Sequence, residues 1–204
     1  MSALADGAIA LEGLKPILDA RRRGDHEAVQ RMAAALERAD ILAVGALADV
    51  VRAEESGDVV RVYANRAPDE ASDAVTVRRD AGAPGDSSGM RFLRAVATAR
   101  ITGPRAARVR VDWSEVGVEL AQVALGFGAS ELLGPITTKR GLVIADDATK
   151  KVKGEGMVSL QAMKQAEIAG LVRRSGRSVV VIGPEGVEAE PAPAPSLPDN
   201  AEAP

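Results

Sequence analysis

Asp112 and Glu115 are carboxylates three residues apart, and between them lies Trp113, the single tryptophan of the chain. Paired carboxylates can share general acid and general base work when a cleft holds them together, enough for a hydrolase or a transferase. Asn65 and Arg66 follow the run Val59-Val60-Arg61-Val62-Tyr63, whose β-branched content predicts a strand. They would offer an amide and a guanidinium at its end. Asn65, Arg66, Asp112, Trp113 and Glu115 are the candidate ligand-binding residues. Each has a plain structural role as well. A tryptophan brings a large apolar area to a core. Acids near a helix start complement its dipole. Asn65 and Arg66 would simply close the strand.

No residue is assigned as catalytic, and no metal ligand or cofactor is expected. The chain has no cysteine, which rules out disulfides, Cys-ligated zinc and Cys-ligated iron–sulfur clusters. Its only histidine, His26, falls in an exposed first helical turn. Asp80–Gly89 (DAGAPGDSSG) has no periodicity and none of the glycine-rich phosphate-binding patterns, and reads as a flexible linker. Aromatic residues make up 2% and the net charge is -3, so neither stacking nor phosphate contacts favour a nucleic acid. The N-terminus lacks the charged and apolar regions of a signal peptide, and no apolar run approaches a membrane span. A cytoplasmic location is the expectation.

The elements that would position the candidates follow from spacing. Leu11, Leu14 and Leu18 predict a helix over residues 8–23, with Pro16 placing its true start near Gly13. Arg21-Arg22-Arg23 fall in its last turn and read as solvated cations. Asp25 and Asp40 are N-caps of two further helices. Val75-Thr76-Val77 is a brief strand, and Phe92, Leu93, Val96 and Ala97 begin another helix. The central stretch, Val109–Ile136, gives a strand, then a helix with the stripe Val116, Leu120, Val123, Phe127 and a cap at Gly128, then a second strand at Leu132-Leu133. A helix from about Ser159 carries Leu160, Met163, Ile168, Leu171 and Val172, and Ser178–Ile182 is a last strand. Helices and strands alternate, so the fold class is α/β, with an N-terminal helical layer and short strands and helices after it. The expected organisation is N-terminal helices and first strand over 8–79, a linker over 80–90, a C-terminal α/β part over 91–187, and a disordered Pro/Ala/acidic tail over 188–204.

Three stretches together resemble one family. In Leu42–Arg66, a helix with Leu47, Ala48 and Arg52, a Gly57-Asp58 turn and a strand ending in Asn65-Arg66 are similar to the barrel entry of the menaquinone and deazaflavin radical S-adenosylmethionine enzymes. These are aminofutalosine synthase, dehypoxanthine futalosine cyclase and FO synthase. Trp113, Gly117, Ala121, Gln122, Ala124, Leu125, Gly128 and Ala129, with Gly134 following, resemble the family's late strand and helix. Glu167–Val180 resembles its terminal helix and strand. The family's Cys-x-x-x-Cys-x-x-Cys loop would follow Asn65-Arg66, where Pro68–Arg79 contains no cysteine.

The resemblance implies the two ends of a barrel, both truncated, without the cluster chemistry. The expected function is that of a non-catalytic, degenerate relative serving the futalosine pathway of menaquinone biosynthesis, as an accessory or regulatory subunit or a small-molecule-binding module. Its partner would be an intact radical S-adenosylmethionine homologue or a further copy of the chain, since open strand edges must be covered. A structural self-assembling module and an enzyme of cluster-independent chemistry are the alternatives.

Overall fold

Short helices build the first quarter of the chain because glycine, proline and aspartate punctuate it closely. The computed structural model describes residues 3–64, 74–79, 87–137, 163–182 and 188–189. Helix α1 (Ala3–Leu11) ends at Gly13, whose φ of 68° is left-handed, and α2 (Lys15–Arg23) begins one residue before Pro16. One predicted helix is therefore two. Leu14 and Leu18 are buried, but Leu11 lies beyond the break and is exposed. Asp25 caps α3 (His26–Met32) by accepting from the Ala28 N–H at 2.9 Å, and α4 (Ala34–Arg38) follows. Asp40 caps α5 (Ile41–Ser56), accepting from the Leu42 N–H at 2.8 Å.

The strands are β1 (Val59–Ala64), β2 (Ala74–Val77), β3 (Arg108–Asp112), β4 (Glu131–Gly134), β5 (Ile136–Thr137), β6 (Met163–Lys164), β7 (Ser178–Ile182) and β8 (Glu188–Ala189). Five of them form a parallel sheet in the order β2-β3-β4-β1-β7, with β8 antiparallel on β7; β5 and β6 pair separately. Between them come α6 (Ser87–Thr102), α7 (Trp113–Val116), α8 (Val118–Leu125) and α9 (Gln165–Arg174). This is an α/β fold with N-terminal helices and helices interleaved among parallel strands. The first strand sits in the interior of the sheet, between β4 and β7. Residues 8–79 and 91–187 thus contribute to one sheet.

One apolar core joins helices to sheet. From the strands it takes Val60, Val62, Val109, Val111, Leu132, Val179 and Val181, and from the helices Leu18, Val44, Leu47, Val96, Ala124, Ile168 and Leu171 among others. The steps β2-α6-β3, β3-α8-β4 and β4-α9-β7 all move across the sheet in one direction, so right-handed crossovers put their helices on one face.

Several boundaries differ from the spacing. Helix α6 starts at Ser87, inside the stretch read as a linker. The central helix breaks at Gly117, where φ is 93°, and its buried residues are Ala121, Ala124 and Leu125, while Val123 is exposed. The break rotates α8 away from the 3.6-residue phase set by Val116. The cap residue is Gly126, not Gly128. Helix α9 begins at Gln165, and Met163 belongs to β6. At the head of the predicted disordered tail, Glu188 and Ala189 pair with β7.

Candidate functional site

Side chains alternate along a strand, so residues skipped by the core share the opposite face. Register places them in rows. Arg110 on β3, Glu131 on β4, Arg61 on β1 and Val180 on β7 form one row. Asp112, Leu133, Tyr63 and Ile182 form the next, toward the carboxyl ends of the strands. Arg108 lies on the other side of Arg110. None of these residues belongs to the core cluster.

Glu131 is the hub and is fully buried. Its Oε2 accepts from Arg110 Nε at 2.9 Å and from Arg110 Nη2 at 2.8 Å. Its Oε1 accepts from the Tyr63 hydroxyl at 3.3 Å, and Arg108 Nη1 stands 3.4 Å away. The Arg110 guanidinium also lies 5.5 Å from the centre of the Tyr63 ring, within cation–π range. Burial, then the negative charge of Glu131, pushes the Tyr63 hydroxyl above its ordinary range, so the phenol stays protonated and donates. Arg61, half-buried and paired in register with Glu131, donates its backbone N–H to Ser130 O at 3.0 Å, and its side chain makes no hydrogen bond or ion pair among the described residues. Three arginines against the two carboxylates of Glu131 and Asp112 leave the described residues of this face with one positive charge in excess.

Three of the predicted residues can be placed. Asp112 accepts from the Ser114 N–H at 2.8 Å and the Ser114 hydroxyl at 2.6 Å, and so caps α7. Trp113 is fully buried on the helix side. A Cβ on Gly134 would lie 2.2 Å from its Cε2, which explains a glycine at that position. Glu115 pairs with Arg78 at 3.0 Å on the surface. The three share the carboxyl end of β3 but point to different tasks. Asn65 and Arg66 lie outside the described residues. Sequence reasoning missed Tyr63, Arg61, Arg108, Arg110 and Glu131. A signal was present: Arg108-Val109-Arg110-Val111-Asp112 alternates charge with valine, whereas a parallel strand covered by helices on both faces is apolar throughout.

The opposite rim of the sheet holds a second set of arginines. Arg100, fully buried on α6, donates to Gly128 O at 2.9 Å, to Ser130 Oγ at 2.9 Å, to Ser56 Oγ at 3.1 Å and to Ala107 O. Burial lowers its guanidinium to about 10, which leaves it cationic at neutral pH. Arg21 makes a two-toothed pair with Glu55, at 2.7 and 2.8 Å, and also donates to the carbonyls of Gly103 and Pro104. The prediction of a solvated Arg21 is corrected: its partner is 34 residues away, beyond any local pattern. Arg52 binds Asp49, Gly57 O and Asp58, and Arg177 reaches Asp49, Asp58 and Leu125 O.

Arg21 also lines a cavity with Gly24, His26, Val29, Thr102, Pro104 and Arg105. Among the described residues no group of three or more His, Cys, Asp or Glu is placed to hold a metal ion, and no helix is long and apolar enough to cross a membrane. No protein-family model matches the chain, and no curated protein matches it either.

Proposed function

We propose that this chain is a non-catalytic binding module related to the menaquinone and deazaflavin radical S-adenosylmethionine enzymes, which holds a small molecule against the charged face of its sheet. The carrying observation is that face itself: Tyr63, Arg61, Arg108, Arg110 and Glu131 stand in adjoining register on three neighbouring parallel strands, opposite the core. In a barrel with its helices outside, this is the face that strands turn inward, and ligands gather at the carboxyl ends. Here Asp112, Leu133, Tyr63 and Ile182 occupy that end.

The three stretches that resemble the family also meet in space. Arg177 from the third touches Asp49 and Asp58 from the first and Leu125 from the second, and β1 lies between β4 and β7. An early strand beside late ones is what two ends of a barrel would give. The family-like residues Trp113, Gly134, Arg52 and Asp58 serve packing and turn geometry here. With no cysteine in the chain, the family's cluster has no ligands, and Asp112 and Glu115 are engaged in a cap and a surface pair. The reading therefore assigns binding, alone or beside an intact homologue, and no reaction.

Native mass spectrometry of the protein purified from its own host tests this. The expected result is a bound small molecule near one per chain that is lost in Tyr63→Phe. A bare protein mass, or a bound mass indifferent to Tyr63→Phe, contradicts it. A radical S-adenosylmethionine enzyme eluting with the chain would add the accessory role.

A second reading, a self-assembling module, is favoured by Leu4, Leu11 and Leu42, which are 87%, 88% and 70% exposed on α1 and α5. Sedimentation over a range of concentrations separates the two, because a concentration-independent monomer removes this one.

A further inference from the structure

The cavity beside Arg21 has a volume of about 400 Å³, enough for a small organic molecule. It lies where the end of α2, the start of α3 and the end of α6 meet, and its polar groups can be accounted for one by one. The carbonyls of Gly24, Thr102 and Pro104 already accept, from the His26 N–H, from Gln30 Nε2 and from Arg21. The Thr102 hydroxyl donates to Thr98 O at 2.8 Å. Arg21 itself is spent on Glu55 and two carbonyls. Gln30 Nε2, held by Thr102 O at 2.9 Å, turns its second hydrogen toward His26 Nε2 at 3.3 Å. In the neutral ring the proton then sits on Nδ1, which has no partner among the described residues. Arg105 makes no side-chain hydrogen bond or ion pair among the described residues either, and its Nη1 lies 3.8 Å from where a Cβ on Gly24 would be. None of the described residues lining the cavity is acidic. What remains unspent is a guanidinium and an imidazole N–H, both of them donors.

We infer that this cavity binds a small organic oxyanion, with Arg105 as its anion-binding residue and His26 as the second donor. The site is separate from the charged face of the sheet, and the inference goes beyond the binding reading above. The backbone around Arg105 is held in place. Arg21 donates to Gly103 O and Pro104 O on one side, and on the other the Ala106 N–H donates to Glu55 at 2.8 Å. Ala106 keeps a left-handed φ of 56°, which a non-glycine residue adopts only where its surroundings impose it. One buried ion pair therefore fixes the loop that carries an unpaired cation to the cavity. Arg105 and His26 are exposed, so a ligand reaches them from solvent. The planar fork of a guanidinium suits two parallel hydrogen bonds to one carboxylate or phosphate group. Pro104 offers apolar contact for the ligand's body.

Calorimetric titration of the full chain with benzoate, inorganic phosphate and benzyl alcohol tests the assignment. Benzoate is expected to bind more tightly than benzyl alcohol, and phosphate through its oxyanion alone. Arg105→Ala should weaken benzoate binding about tenfold or more, and His26→Ala about threefold. Arg38→Ala removes an exposed arginine outside the cavity and should leave the affinity unchanged, as should Tyr63→Phe on the charged face. Circular dichroism and the melting temperature of Arg105→Ala should match the parent, because its side chain ties no other segment. Unchanged benzoate affinity in Arg105→Ala, an equal loss in Arg38→Ala, equal binding of the alcohol, or no binding of either anion by the parent would overturn the inference. Probe binding lost in Tyr63→Phe and kept in Arg105→Ala would overturn it while the binding reading stood. A native protein that carries nothing, with benzoate binding lost in Arg105→Ala, would remove that reading and support this one.

Discussion

Two buried arginines, Arg100 and Arg110, sit on opposite sides of the same sheet and solve burial differently. Arg100 spreads its hydrogen bonds over neutral oxygens of four residues, Gly128, Ala107, Ser130 and Ser56. Those oxygens belong to the end of α5 and to the loops entering β3 and β4, so one side chain ties three chain segments at the amino-terminal rim. Arg110 spends its bonds on a single carboxylate from the adjacent strand. That arrangement fixes two strands already joined by backbone hydrogen bonds. The lesson is one of satisfaction. A buried arginine whose donors are spread over backbone carbonyls and serine hydroxyls of several segments is a structural tie, whereas one paired with a single carboxylate stands or falls with that carboxylate.

The largest effect expected from breaking the comparison is at the rim. Arg100→Met strands the carbonyls of Gly128 and Ala107 and the hydroxyl of Ser130, and should cost about 3–5 kcal/mol in urea unfolding. On the charged face, Glu131→Gln removes the charge that Arg110 answers and should cost about 3 kcal/mol. The double variant Glu131→Gln with Arg110→Met should recover much of that loss, because it removes the uncompensated cation. A simple sum of the two single losses would mean that the pair is not coupled. Gly134→Ala pushes a methyl into the Trp113 indole on the helix side, and a cost of about 1–3 kcal/mol follows from overpacking. The single tryptophan reports it directly by fluorescence.

The smallest effect sharpens the charged face by titration. Tyr63 is the only tyrosine, so phenolate absorbance reads it alone. Burial and Glu131 raise its folded value, so the folded state holds this proton more tightly than the unfolded chain does. The stability it contributes is complete below about 10, the unfolded value, and is lost as pH rises through the higher folded value. The midpoint should lie above the ordinary range and fall in Glu131→Gln. An ordinary midpoint in the parent would contradict the pairing.

Much of this was legible in the sequence, and the limits have physical causes. Asp25 and Asp40 act through their own backbone neighbours, so their capping could be read locally. The strands at 59–63, 75–77 and 178–182 showed in β-branched runs. Leu11, Val123 and the start of α9 were misplaced because single glycines at 13 and 117 shift the helical phase, and because Met163 extends into a strand. Trp113 drew attention by its rarity, yet it is core. The charged face was overlooked because Glu131 and Arg110 are 21 residues apart and meet only through strand pairing. Alternation in Arg108–Asp112 hinted at it, but which partner would lie beside those arginines is a matter of strand order.

The most direct test maps where a ligand sits. Backbone amide shifts of the labelled full chain, followed as the small molecule recovered from the native protein is added, should move along β1, β3 and β4 around Tyr63, Arg110 and Glu131, and should stay still in Tyr63→Phe. Shifts confined to the cavity around His26, Arg105 and Thr102, or none at all, would contradict a binding face on this side of the sheet.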